Sequence, residues 1–362
     1  MQIIADRRAL HQIPEIELTL PKTMEYLRDS LSGLRCRLFS PIEYSLCAYF
    51  DFGKAETLAF RADCDALPVP EKSGVDFAST HEGCMHACGH DGHMAIALEL
   101  ARRINEKADL PHNILIIFQP GEESPGGAKP ICDTGLLEEY KVKALFGLHL
   151  WPGLEKGKVF SREKELMSRS SEINVDIYGK SSHIGRAHEG IDALAAGVEF
   201  YRRAVAMEQA LPANIYRLLK FGHMESGTVR NALSAHTHLE GSLRAFQDEI
   251  FDELRSGLDR IAADIAAETG CTVTVNGSEG YRAVMNPPEL CRKVMAIAPF
   301  ALLADPSMTS EDFSFYQQHT DAMFFFLGTG DTPTLHANNF NFDEQILVKG
   351  ADFFEKLAEN FL

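Results

Sequence analysis

The sequence predicts an α/β fold in which a mainly parallel-sheet catalytic domain carries an inserted, smaller α+β domain of ferredoxin-like type. Apolar runs of strand length alternate with helix-period stretches through about residue 167, which is typical of α/β layers with a parallel sheet. A strand-helix-strand-strand-helix-strand order then fills the middle of the chain, the order of a compact α+β sandwich. The 362 residues, with 45% hydrophobic content, are enough for two domains with buried cores.

The larger predicted domain comprises residues 1–167 plus 281–362. Its strands are predicted at residues 57–61, 114–118, 144–150 and 322–327, and its helices at 94–104 and 347–361. The first of these helices is indicated by Ile96, Leu100 and Ile104, which recur on one helical face. The glycine-rich turn at 328–330 follows the last strand. The C-terminal part therefore continues the same kind of unit.

The inserted domain is predicted to span residues 168–280. Its elements in order are a strand at 171–178, a helix at 191–211, strands at 215–221 and 235–245, a charged helix at 248–269 and a strand at 271–275. The strands alternate between apolar and polar residues, which indicates a sheet with one exposed face.

Composition excludes several classes of partner. The chain has 35 Lys+Arg against 52 Asp+Glu, a formal net charge of -17. Such a field repels phosphate backbones and anionic lipid surfaces, so we expect neither nucleic-acid nor membrane binding. The longest apolar runs have strand length and are too short to span a bilayer. Eight cysteines without a secretion signal do not indicate a disulfide framework, so a cytoplasmic location is expected.

The densest chemical signal lies between His81 and His93, where two cysteines and four histidines fall within thirteen positions. Thiolate and imidazole are ligands of zinc and its neighbours in the transition series. A structural zinc clip would need paired spacings such as Cys-x2-Cys, which are absent here. A chance cluster of polar loop residues is the other alternative, but Gly89 and Gly92 indicate a tight turn into a helix. We therefore interpret the segment as a metal site.

Further candidate ligands and acids follow the predicted strands. Glu122 and Glu123 come after a strand and a Pro-Gly turn; the other strand ends carry Asp63 and Asp65, His149, and His336. Ligands of open α/β sheets bind outside the carboxyl ends of the strands, so these side chains are placed for a shared site. One of two adjacent carboxylates can hold a metal while the other moves a proton.

Together these motifs resemble the amidohydrolase branch of the dinuclear metallopeptidases, which includes hippurate hydrolases, N-acyl-amino-acid amidohydrolases and N-acetyldiaminopimelate deacetylases. The resemblance covers nearly the whole chain. It is carried by Arg61-Ala-Asp-Cys-Asp65, His86-Ala-Cys-Gly-His-Asp91, Gln119-Pro-Gly-Glu-Glu123, Leu148-His149 and Leu335-His336, and extends to Gly227-Thr-Val-Arg-Asn231 and Leu239-Glu-Gly-Ser-Leu-Arg244. In this family Gly121 is usually alanine, Ser181-Ser182 is usually Gly-Gly, and Ala187 is usually proline.

The resemblance implies two divalent metal ions, which could be zinc, manganese, cobalt or nickel. The implied roles are Cys88 as the bridging ligand, His90 and His149 on one metal, Glu123 and His336 on the other, Glu122 as general base and acid, and Asp65 as the residue that orients a ligand imidazole. No metal ligand of the family is missing, so an active enzyme is expected.

The resemblance also implies that the inserted domain forms a homodimer. His183 would then reach the active site of the partner subunit and polarise the scissile carbonyl. Asn231 and Arg244 match positions that grip the substrate, and the guanidinium of Arg244 is suited to a carboxylate.

The expected reaction is metal-assisted removal of an acyl group from a small acylated amino acid. The loop after Glu123 reads Ser124-Pro-Gly-Gly-Ala-Lys-Pro130, which resembles the N-acetyldiaminopimelate deacetylases, whereas hippurate-type relatives carry Gly-Gly-x-Gly-Ala. N-acetyl-L,L-diaminopimelate, an intermediate of lysine synthesis, is therefore the leading substrate. A general N-acyl-amino-acid or hippurate hydrolase is the alternative enzyme. A non-catalytic, metal-binding dimeric homologue is the alternative of another class.

Overall fold

The chain forms two compact units in the computed structural model, which describes residues Met1–Leu362. The large unit comprises Met1–Leu166, Val284–Pro306 and Asp312–Leu362, and the small unit comprises Met167–Ala283 and Ser307–Glu311. The segment 307–311 was expected in the large unit but belongs to the small one, and the insert ends later than the expected residue 280.

Fourteen strands are present. In chain order they are β1 (Arg37–Phe39), β2 (Leu46–Phe50), β3 (Thr57–Asp63), β4 (Asn113–Gln119), β5 (Val142–Pro152), β6 (Val159–Ser161), β7 (Lys164–Met167), β8 (Arg169–Tyr178), β9 (Arg217–Ser226), β10 (His236–Ala245), β11 (Thr272–Gly277), β12 (Val284–Asn286), β13 (Ala301–Leu302) and β14 (Asp321–Gly330).

Nine α-helices accompany them. They are α1 (Gln2–His11), α2 (Pro21–Leu31), α3 (His90–Glu106), α4 (Ala128–Asp133), α5 (Leu136–Glu139), α6 (Ala193–Ala210), α7 (Asp248–Thr269), α8 (Pro288–Ile297) and α9 (Ile346–Asn360). Short 3-10 helices cover Ile184–Glu189 and Asp312–Gln318. None of the helices combines the length and apolar character that crossing a bilayer would require.

An eight-stranded sheet in the order β1-β2-β4-β3-β5-β14-β6-β13 forms the centre of the large unit. Its central strands β4, β3, β5 and β14 are parallel, whereas β1, β2 and β6 pair antiparallel at the flanks. The central strands are apolar almost throughout and buried along nearly their whole length, as expected where both faces of a parallel sheet are covered. The predicted mainly parallel α/β domain is confirmed.

A four-stranded antiparallel sheet in the order β11-β8-β10-β9 forms the small unit, with α6 and α7 packed on one face. Residues that alternate along β8 and β10, such as Ile173, Val175 and Leu239, are fully buried against these helices. The intervening residues point to the opposite face, since successive strand residues alternate. The unit's own helices leave that face uncovered, and β9 is an edge strand. The predicted ferredoxin-like order is confirmed.

The helix α3 begins at His90, before the predicted start at residue 94. Its first turn contains His90, Asp91 and His93, all buried, so the polar residues there concealed the helical pattern from the sequence. Gly89 precedes the helix with a left-handed φ of 86°, a conformation that glycine adopts without strain. The early start places His90 at the first helical position, beside the carboxyl ends of the central strands.

Candidate metal centre

Four segments of the large unit bring the predicted ligands together. Cys88 and His90 lie at the start of α3, Glu123 follows β4, His149 lies on β5 and His336 follows β14. The ligand atoms of Cys88, His90 and His149 lie within 4.8 Å of one another, and so do those of Cys88, Glu123 and His336. Because Cys88 belongs to both groups, the arrangement has the form of two adjoining cation sites that share one sulfur.

The two buried histidine ligands, His90 and His149, both direct Nε2 toward this cluster. His90 Nδ1 lies 2.8 Å from the main-chain oxygen of Asp65, and His149 Nδ1 lies 2.7 Å from that of Leu150. A carbonyl oxygen only accepts, so each Nδ1 must donate, and Nε2 is the atom whose lone pair would bind a metal in the neutral ring. His149 Nε2 lies 3.4 Å from Cys88 Sγ. Burial and the nearby His93 hold the pKa of His149 well below its usual value, which keeps this lone pair available.

Two polar atoms in the cluster are sealed from solvent and make no hydrogen bond: His90 Nε2 and Glu123 Oε1. They lie 3.9 Å apart, and Glu123 Oε1 lies 3.3 Å from His336 Nε2. Unsatisfied buried polar atoms are rare and cost about 1–3 kcal/mol each. Cations between these atoms would satisfy both of them, so the residues fit a metal centre.

The charge balance also favours a cation. Burial, together with the carboxylates of Glu123 and Glu122, raises the pKa of the Cys88 thiol well above its usual range. Burial by itself lowers the pKa of His90, but the carboxylates of Asp63, Asp65 and Glu123 raise it to about 10. Negative charge is therefore in excess around the two residues. Metal ions would displace their protons and leave thiolate and neutral imidazole as ligands.

The carboxylate of Asp65 holds the turn that carries both glutamates. Its Oδ1 accepts a hydrogen bond from the amide of Glu122 at 2.9 Å, and its Oδ2 accepts one from the amide of Glu123 at 3.0 Å. The expectation that Asp65 orients a ligand imidazole stays a prediction, and the hydrogen bond that would do so involves its main-chain oxygen. The His90 ring donates to the Asp65 main-chain oxygen, and its Nδ1 is 3.7 Å from the nearest carboxylate oxygen. The carboxylate is already engaged by two main-chain donors.

A competing group of ligand atoms, formed by Asp63, His90 and His93, is also compact. Both ring nitrogens of His93 are in use, because Nδ1 lies 2.5 Å from Asp63 Oδ1 and Nε2 accepts from the amide of Leu150 at 2.9 Å. His93 has no lone pair left for a metal, so it supports the segment that carries His149. The sequence analysis did not identify the supporting role of His93 and Asp63. The i, i+3 spacing of His90 and His93 could have indicated that both histidines lie on one face of the same helix.

Glu122 and His336 complete the candidate centre. The side chain of Glu122 is almost fully buried, with 7% of its surface exposed, and its carboxylate lies in one compact group with His90 and Glu123. The amide of His336 donates to the Ala87 oxygen at 2.9 Å, which ties its loop to the Cys88 segment. The side chain of His336 is 54% exposed, so the centre opens to solvent on this side.

The turn before Glu122 explains one departure from the family pattern. Gly121 has a left-handed φ of 68°, and a Cβ atom there would lie 2.6 Å from Leu18 Cδ2. An alanine at this position would be strained in this backbone and would displace Leu18. The glycine therefore matches the local packing of this chain.

The other three predicted site residues, His183, Asn231 and Arg244, belong to the small unit. His183 is exposed, and the next residue, Ile184, donates its amide to the Asn231 main-chain oxygen at 3.0 Å. The structure thus brings His183 and Asn231 onto neighbouring segments. Arg244 is half-buried, and its Nη1 donates to the Met308 main-chain oxygen at 2.6 Å. Their roles toward a substrate stay predictions.

Comparison with known proteins identifies the family. The sequence pattern of Peptidase family M20/M25/M40 matches residues 59–360. An uncharacterized hydrolase of Staphylococcus epidermidis is 33% identical over 98% of this chain and 97% of its own length. A Staphylococcus haemolyticus hydrolase, also uncharacterized, is 33% identical over the same shares. The chain therefore belongs to the M20 family of hydrolases, which confirms the resemblance to dinuclear metallopeptidases.

Solved structures of related proteins have the same fold as this chain. A dinuclear-metal-binding peptidase of family M20 from Bacillus subtilis is 28% identical, with a TM-score of 0.86 over 99% of this chain and 96% of that one. A Staphylococcus aureus protein provisionally assigned as an aminohydrolase is also 28% identical, with a TM-score of 0.91 over 98% and 95%. The metal-dependent class of the enzyme is thus supported by relatives and by the ligand geometry.

Replacement of Asp65 by asparagine should weaken metal binding without unfolding the protein. The amide NH2 of asparagine cannot accept from a main-chain N–H, so one glutamate would lose its anchor. We expect metal affinity to fall roughly 10–100-fold, measured by competition with a chromophoric chelator. Asp109→Asn is the matched control, since that carboxylate is exposed and forms its ion pair with Lys54, away from the candidate ligands. Unchanged affinity in Asp65→Asn would contradict the anchoring role.

Proposed function

We propose that this M20 hydrolase cleaves the amide bond of N-acyl amino acids, and that Glu122 is its general base and acid. The single observation that carries the proposal is the placement of a second, buried carboxylate beside a complete set of metal ligands. Glu123 can serve as a ligand, while Glu122 is held next to it because the amides of both residues donate to the Asp65 carboxylate. A protein that only stored metal ions would have no need for a fixed base at this point.

The residues of the chain divide the work as follows. Cys88, His90 and His149 would hold one metal ion, and Cys88, Glu123 and His336 the other. When bound, the two ions would supply Lewis acidity toward water and the scissile carbonyl. Glu122 takes a proton from the attacking water and later gives it to the amine as the C–N bond breaks. The fixed backbone at Glu122 keeps its carboxylate in one position for both transfers.

The substrate proposed first is N-acetyl-L,L-diaminopimelate, on the strength of the loop sequence after Glu123. The loop is tightly folded: the amide of Gly126 donates to the Gly121 oxygen at 2.9 Å, and a Cβ on Gly127 would lie 1.7 Å from the Pro120 oxygen. The loop is thus fixed directly beside the candidate base. A general N-acyl-amino-acid or hippurate hydrolase is the second proposal, because the same centre would serve any small acylated amino acid.

Release of free amine tests the substrate proposal. The panel comprises N-acetyl-L,L-diaminopimelate, hippurate, N-acetyl-methionine and an indole-acetyl amino acid, each with zinc, manganese or cobalt added after chelation. Preference for the diaminopimelate derivative is the expected result. Broad or hippurate-centred activity would refute that substrate and favour the general hydrolase. No amine from any substrate with any metal would favour the non-catalytic, metal-binding homologue.

Glu122→Gln should abolish turnover while metal content and folding remain unchanged. Glutamine has nearly the same shape but cannot take up the proton, so we expect kcat to fall roughly 10²–10⁴-fold. The adjacent variant Glu123→Gln provides the contrast, because it should also lose bound metal. Metal analysis and amine release on both variants separate the two roles. Retained turnover in Glu122→Gln would exclude it as the base.

We also propose that the small unit forms a homodimer. The strand β9 is an unpaired sheet edge of ten residues, and such edges invite pairing with a second chain. Next to it, α6 exposes Leu194, Val198 and Tyr201, at 47%, 53% and 45%, in the i, i+4, i+7 spacing of one helical face. An edge strand beside an apolar stripe fits a two-fold interface with another copy.

Mixed dimers test whether His183 acts in the partner's active site. Glu122→Gln and His183→Ala should each be inactive alone. If His183 acts across a two-fold dimer, a mixed dimer has one doubly altered and one intact site, so random re-association of equal amounts restores about one quarter of wild-type activity. The measurement is amine release after mixing, with sedimentation to verify the dimer. If His183 acts within its own chain, no activity returns.

A further inference from the structure

A second cluster of metal-ligating side chains lies on the small unit's sheet, on the face that α6 and α7 do not cover. It consists of Asp176, His236 and His238. The Oδ1 atom of Asp176 lies 2.9 Å from His236 Nε2 and 2.9 Å from His238 Nδ1. The three ligand atoms all lie within 4.8 Å of one another. None of these residues belongs to the motifs that the proposed hydrolysis uses.

The sheet fixes this cluster in place. His238 is directly opposite Asp176 across the antiparallel pair β10 and β8. His236 lies two residues earlier on β10 and therefore projects from the same face. Tyr178 is opposite His236 and stacks on its ring, with the centroids 4.7 Å apart and the planes at 16°. Strand register and stacking thus orient both imidazoles toward one carboxylate oxygen.

Further polar side chains border the cluster. His238 Nε2 lies 3.4 Å from Glu240 Oε1, and Glu240 Oε2 lies 3.4 Å from His223 Nδ1 on the neighbouring strand β9. The carboxylate of Glu240 can therefore accept from the outer nitrogen of His238. A carboxylate in that position fixes the tautomer of a histidine that binds metal through its other nitrogen.

We propose that Asp176, His236 and His238 form an additional site for a divalent transition metal such as zinc, nickel or copper. Two imidazoles and one carboxylate are a known donor set for such ions, whereas magnesium and calcium prefer oxygen ligands alone. Ligand atoms of a tetrahedral zinc site with bonds of 2.0–2.1 Å lie roughly 3.3 Å apart. Each imidazole nitrogen, at 2.9 Å from Asp176 Oδ1, needs to move only a few tenths of an ångström away from that oxygen. Solvent can supply the remaining ligands, since all three side chains are partly exposed.

The ion would clamp β8 to β10 in the middle of the small unit. Its site is independent of the proposed dinuclear centre, whose metal ligands all belong to the large unit. A metal bound only by the folded sheet stabilises it, because binding free energy adds to folding free energy.

Metal stoichiometry tests the proposal on the full chain. Wild type, His238→Gln and Asp176→Asn are dialysed against zinc after chelation and analysed for bound metal. Wild type should hold one more equivalent per chain than either variant, and the variants' affinity for that equivalent should fall roughly tenfold or more. His319→Gln is the matched control, because His319 Nδ1 pairs with Glu138 Oε1 at 3.1 Å without a second imidazole. The criterion is the difference in bound metal per chain between wild type and the two variants, so the result does not depend on how many ions the dinuclear centre holds.

Cobalt substitution gives a second readout. The sulfur of Cys88 should produce thiolate-to-metal bands in the near ultraviolet, whereas the additional site has only nitrogen and oxygen donors. Cobalt in the additional site should therefore add visible absorption but no thiolate-to-metal bands. The His238→Gln variant should lack this added visible absorption. Thermal unfolding in chelator confirms that the variants fold; if His238→Gln fails to fold, Asp176→Asn decides. Equal stoichiometry in wild type and a folded variant would overturn the proposal.

Discussion

The hydrogen bonds of Asp65 hold three segments of the large unit in one geometry. Its carboxylate accepts from the amides of Glu122 and Glu123, and its main-chain oxygen accepts from the His90 ring. The candidate base, one ligand of each proposed metal and the carboxyl end of β3 thus depend on a single residue. A displacement there would move base and ligands together. Because proton transfer and metal binding both require positions fixed to a fraction of an ångström, this residue links the fold to the proposed chemistry.

An excess of buried negative charge is the second constraint. A thiol, several carboxylates and the Nε2 atoms of two imidazoles surround one space, and two polar atoms there lack any hydrogen bond. Without cations this arrangement is unfavourable, since buried charges must be paired. Next to these groups, Arg61 donates hydrogen bonds to Asp63, Gln119 and Asp312. These supporting carboxylate and amide groups therefore already have partners within the protein. His90 Nε2 and Glu123 Oε1, which lie at the candidate metal positions, have no such partner.

Much of this arrangement could be predicted from the sequence. The four parallel central strands were located by their apolar runs, and the small unit by its order of strands and helices. The ligands followed from their positions after strands and from the resemblance. The start of α3 was missed because its first turn is polar. The contacts of Asp65 and His93 could not be predicted either, because they depend on which nitrogen or oxygen faces which main-chain group. The cluster of Asp176, His236 and His238 depends on strand register, which the sequence pattern alone did not specify.

In the proposed centre, Cys88 would be shared by two metal ions at the carboxyl ends of the central strands. Anomalous diffraction from crystals of the protein grown with zinc or manganese tests it most directly. We expect two peaks that share Cys88 Sγ, one beside His90 and His149 and the other beside Glu123 and His336. A single peak in the large unit between Asp63, His90 and His93, or peaks that avoid Cys88, would contradict this expectation.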